Sequence, residues 1–121
     1  MTAYFKEHLK PFDKLYVEAV ESTLRRIFGN FAYDAIISVM CELKSMLPKE
    51  LLRSPEALEE ALVMLFGRDG AAVITCSIVN QLCKLLNVTI LPSERFPETV
   101  RRARLKYEYG LSEDKVMYIS P

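Results

Sequence analysis

One short pattern occurs twice in this chain. Ala19, Glu21, Leu24, Phe28 and Gly29 return as Ala57, Glu59, Leu62, Phe66 and Gly67, every pair at the same separation. At that separation Val20/Leu58, Thr23/Ala61, Ile27/Leu65 and Ile36/Ile74 keep their chemical character. A constant offset running through a helical apolar period and ending at Phe-Gly predicts an amphipathic helix stopped by glycine and followed by a second helix, in two copies. A helical hairpin cannot cover its own apolar stripe and must press it on a neighbour. The expected fold is therefore all-α: a five-helix bundle built from two pseudo-repeated helical hairpins plus a C-terminal helix.

The helices can be placed from their signals. Phe12, Leu15, Tyr16, Ala19, Val20, Leu24, Ile27 and Phe28 fall on one helical face, with Lys14, Glu18, Glu21 and Arg25 opposite, and Gly29 ends the run. Asn30 is the expected cap of a second helix whose stripe is Phe31, Ala35, Ile36, Val39, Met40, Leu43 and Leu47. Pro48 follows it, and Leu51 and Leu52 can build one turn in the link. Ser54-Pro55-Glu56 combines a cap residue, a proline at the first helical position and an acid in the first turn, which makes it the sharpest helix start in the sequence. That third helix stops at Gly67, and Asp69 is the expected cap of a fourth running to about Leu86. The fourth carries two apolar stripes, one through Val73, Ile74, Ile78, Leu82 and Leu85 and one through Ala72, Cys76, Val79, Cys83 and Leu86. It is expected at the centre of the monomer or at a dimer seam. Val88 to Leu91 reads as a short β-prone link, and Pro97 opens a more polar fifth helix that stops at Gly110.

These elements form a single domain over 12–110, preceded by a polar and aromatic lead, 1–11, and followed by a tail, 111–121. The tail fits either a short strand through Val116 to Ile119 or a segment packed on a partner. One core is expected at 121 residues. The longest uncharged stretch, Gly70 to Cys83, is shorter than the roughly 20 residues a bilayer requires. Charges near the N-terminus stand where a signal peptide would be apolar. Three cysteines, an odd number set far apart, suit a reducing compartment. A cytoplasmic protein without membrane association is the expectation.

Candidate chemistry is sparse. Cys41, Cys76, Cys83 and the lone His8 lack the spacing of a metal site, and Cys76 and Cys83 read as small apolar residues on one helical face. His8 has nothing near it in sequence to make it a base for a nucleophile. Glu18, Glu21, Asp34, Glu59 and Glu60 fall on faces expected to be solvated. The four glycines punctuate helices and form no phosphate loop. No catalytic residue, cofactor or metal is expected, and the reading is not an enzyme.

Sixteen basic and sixteen acidic residues cancel, so no global field gathers a polyanion. The charge is nevertheless sorted along the chain. Arg95, Arg101, Arg102, Arg104 and Lys106 face only Glu94 and Glu98 over residues 92–106, forming a candidate surface for phosphates or an acidic partner. On a helical wheel Arg101, Arg104 and Glu108 share one side, and Arg102 and Lys106 another.

The run Ser-Pro-Glu-Ala-Leu-Glu-Glu-Ala-Leu-Val-Met-Leu-Phe-Gly, set between a four-turn helix with a proline break and an apolar helix, resembles a small helical domain of archaeal proteins, the Nitrosopumilus-type output domain family. The resemblance covers about 15–88. Its most specific piece is Pro55 to Gly67, where Glu59, Leu62, Phe66 and Gly67 match. It implies an intracellular signalling or adaptor role in an archaeon, with no catalytic residue to carry over. The longer basic fifth segment and tail depart from the usual form of that family. Together with the aromatic residues crowding the first third of the chain, these features favour a protein-interaction module that forms a homodimer. Nucleic-acid binding through 95–106 is the second reading.

Overall fold

A computed structural model describes residues 11–91 and 93–110. The expected lead, apart from Pro11, and the expected tail lie outside them. Five helices pack together with no strand among the described residues: α1 (Pro11–Phe28), α2 (Asn30–Lys44), α3 (Pro48–Arg53), α4 (Pro55–Leu86) and α5 (Phe96–Tyr109). The expected link turn is thus a helix of its own, anchored by fully buried Leu51 and Leu52. The expected third and fourth helices are the two halves of α4, which meet at a kink where Gly67 leaves helical geometry.

Two glycines make the corners. Gly29 has φ 87° and ψ 157°, and Gly67 has φ 79° and ψ 172°. This region is essentially closed to residues with a Cβ. The two corners lie close together, because Phe28 and Phe66 stack with ring centroids 5.1 Å apart and planes 14° from parallel. Since Gly29 itself forms the start of α2 and no side chain caps it, Asn30 is not the cap that the sequence predicts. Asn30 instead accepts a hydrogen bond from Arg25 at 3.3 Å. Asp69 is likewise not a cap, since helix resumes directly after Gly67. The Ser54 start does form as read: Ser54 Oγ accepts from the Ala57 amide at 3.2 Å.

The core gathers Phe12, Tyr16, Val20 and Leu24 of α1, Leu58 and Leu62 of the first half of α4, and Ile74, Ile78 and Leu82 of the second. The long helix α4 is central, and its packing with α5 is the most extensive between the described helices. By length and mean hydropathy α4 could cross a membrane. Its break at Gly67 divides it, and its apolar stripes pack on α1, α2 and α5.

Burial departs from the sequence pattern in four places, one of them Ile27 of the α1 stripe, which is exposed. Helix α2 turns Tyr33, Ile37 and Met40 inward, so of its expected stripe only Met40 is buried and Ile36 half-buried, while Phe31, Ala35, Val39, Leu43 and Leu47 face solvent. The stripes of α4 are similarly incomplete, with Ala72, Val73, Cys76 and Leu85 exposed. Glu21, expected on a solvated face, is buried and accepts a hydrogen bond from the Tyr33 hydroxyl at 3.3 Å.

Candidate functional site

The basic segment lies on α5 and the link before it. Phe96, Val100 and Ala103 face the core and fix the helix on α4, which sets the direction of each cation. Arg102 is 2% exposed. Its Nε and Nη2 donate to the Glu94 carboxylate at 3.1 and 2.9 Å, and Nη2 also donates to the Thr89 carbonyl. Thr99 donates to the same carboxylate at 2.8 Å. Burial alone would raise the Glu94 carboxyl, but the hydrogen bonds from Arg102 and Thr99 and the nearby guanidinium charges outweigh it and hold the group below its ordinary value. Arg102 therefore ties Thr89 and Glu94 to α5.

The remaining cations are spread around the helix. Arg104 pairs with Asp13 at 2.5 Å and with Glu108 at 3.2 Å, and its guanidinium lies 4.6 Å from the Phe12 ring centroid. Lys106 donates to the Asn87 carbonyl at 2.5 Å. Arg95 is mostly exposed and reaches Glu59 at 3.4 Å, and Arg101 is exposed. The fold thus brings Arg102 and Lys106 to the side that meets Asn87, Thr89 and Glu94, while Arg104 ties α5 to α1. Asp13, a buried acid shared with Arg53 at 3.8 Å, carries no sequence signal, because its partners come from α3 and α5.

Beside this segment runs an open groove of about 490 Å³ between α4 and the link to α5. Val63, Ala72, Cys76, Val79, Ile90 and Phe96 line it, with Glu59, Arg68 and Arg95 at the rim. Cys76 is exposed while Cys83 is buried, so the pair does not share one packed face as its spacing suggests. Cys41 is half-buried, and burial pushes its thiol upward. Among the described residues no group of three or more His, Cys, Asp or Glu is placed to hold a metal ion.

A second surface is apolar. Phe31 is 100% exposed, and Val39 and Leu43 are each about 40% exposed along the same side of α2. Ile27, at the end of α1, and Leu47, just past α2, are exposed as well. A phenylalanine standing wholly in water offers a large apolar area that none of the described residues covers. Reading the α2 stripe as core missed this surface. One comparison within the sequence could have revealed it: the counterparts of Phe31, Val39 and Leu43 in the second repeat are Asp69, Ser77 and Gln81, the polar choices expected of a solvated face.

Comparison with family models, with curated proteins and with solved structures finds no match for the chain.

Proposed function

We propose that the chain is two copies of one helical-hairpin unit completed by α5, and that it acts as a non-catalytic protein-interaction module which self-associates as a homodimer. The matching Gly29 and Gly67 corners and the Phe28/Phe66 stack support the repeat. The observation that carries the functional reading is the uncovered side of α2, with Phe31 in full solvent. The resemblance to the archaeal output domain family adds a cytoplasmic regulatory or adaptor role in signalling, without membrane association, cofactor or metal.

Polyanion binding ranks behind, because Arg102, Arg104 and Lys106 already hold partners within the fold. A phosphate would have to compete with those contacts. Light scattering over a wide range of concentration tests self-association, and a mass near one chain at every concentration refutes it. Retardation of generic duplex DNA or RNA at about 50 mM salt, with a steep salt dependence, would favour the polyanion reading instead.

A further inference from the structure

Resting on the self-association reading above, we propose that the outer row of α2 seats a second copy of this chain, the two α2 helices crossing antiparallel about a two-fold axis. Phe31, Ala35, Val39 and Leu43 recur at every fourth position and form one continuous ridge on the helix surface, all exposed. Ridges of this kind interdigitate at a crossing angle of about −50°. Ala35, near the middle, leaves room for close approach.

The row is a property of the first repeat alone. At the corresponding positions of the second repeat stand Asp69, Val73, Ser77 and Gln81, so α4 shows water a mixed face where α2 shows an apolar one. A solvated helix has no need of Phe31, Val39 and Leu43. Together with Ile27 before the corner and Leu47 just past the helix, the exposed apolar side chains come to roughly 500 Å², the size of the largest and often functional apolar patch of a monomer and more than half of the ~800 Å² per partner in a standard interface.

Charge selects the orientation. Arg26, in the last turn of α1 just before the corner that opens α2, is exposed, and so is Glu42 in the last turn of α2, whereas Lys44 there is already paired with Glu60 at 2.6 Å. An antiparallel crossing brings Arg26 towards Glu42 of the other protomer, twice by symmetry. A parallel crossing would set like charges together.

Sedimentation velocity and light scattering on the full chain test this, with thermal melts by circular dichroism beside them. Val39→Ser/Leu43→Gln, which installs the residues found at the corresponding positions of the second repeat, is expected to weaken self-association at least about tenfold with the fold intact, and Val73→Ser on α4 to leave it unchanged. Phe31→Asp is the second variant, because a side chain wholly in solvent can be replaced without disturbing the core. Arg26→Glu is expected to weaken the dimer and added Glu42→Arg to restore it; failure of that rescue overturns the antiparallel crossing. A wild-type dimer that survives both Val39→Ser/Leu43→Gln and Phe31→Asp overturns this surface and leaves self-association standing. A wild-type chain that is monomeric throughout overturns both.

Discussion

The pair α1–α2 and the two halves of α4 share part of an apolar pattern at one offset, but their second helices are buried to different depths. Ile74, Val79 and Leu82 are buried, whereas their counterparts in the first repeat, Ile36, Cys41 and Lys44, are only partly covered. The difference follows α5, which packs most extensively against α4. A helical hairpin needs a second layer on each side. Among the described residues α5 supplies that layer to α4, and the outer side of α2 is left without one.

If the two pairs are equivalent in their cores, matched truncations should have matched effects. Leu24 and Leu62 hold the same place in the two repeats and both are fully buried. Leu24→Ala and Leu62→Ala are each expected to lower stability by about 3–4 kcal/mol in urea denaturation. A large disparity would break the equivalence.

The clamp that holds the link to α5 belongs to the second pair only. Glu94→Gln leaves the buried Arg102 guanidinium without its carboxylate and is expected to destabilise by about 3 kcal/mol. The pH dependence has a definite sign. Because the Glu94 carboxyl sits below its ordinary value in the folded state, its stabilisation is present above the unfolded value of ~4.3 and is lost as pH falls through the lowered folded one. Acid titration of stability should therefore be shallower below that point in Glu94→Gln than in the wild type.

The corners come next. A Cβ at Gly29 or Gly67 would meet no atom within 4 Å, so a substitution there is opposed by backbone conformation alone. Gly29→Ala and Gly67→Ala are each expected to lower stability by about 2 kcal/mol in the same assay. Unequal losses would show that the neighbouring helices constrain one corner more than the other.

How far the sequence disclosed these relations depends on the range of each interaction. The stop at Gly67 and the start at Ser54 are local, involving a dihedral angle or a bond within one helical turn, and both were legible. The stripe of α1 was legible too, because its opposite face is charged. Helix α2 has apolar residues on both sides, Tyr33 and Ile37 on one and Phe31, Val39 and Leu43 on the other, so periodicity alone could not say which faced inward. Charged residues were least legible. Asp13 is paired with Arg104, 91 residues away, and Glu21 is bonded by Tyr33, 12 residues away. For the basic segment the sequence supplied the residues and the sides of the helix they share, but the clamp of Arg102 on Glu94 and Thr89 depends on the path of the link.

The smallest change in stability should accompany the most informative change in assembly. Placing the α2 residues on α4, as Asp69→Phe/Ser77→Val/Gln81→Leu, alters positions at or near the surface and is expected to shift stability within about ±0.5 kcal/mol per site. Association should respond far more. A chain with one self-complementary row closes as a dimer, because the two-fold axis uses that row up. A chain with two such rows, on α2 and on α4, can add a copy at each and need not close. Sedimentation of this variant should show species larger than a dimer that grow with concentration, while Val39→Ser/Leu43→Gln added to it should return dimers joined through α4. If the variant instead sediments as the wild type does, the row of residues is not sufficient for pairing, and the neighbours of α2 contribute what α4 lacks.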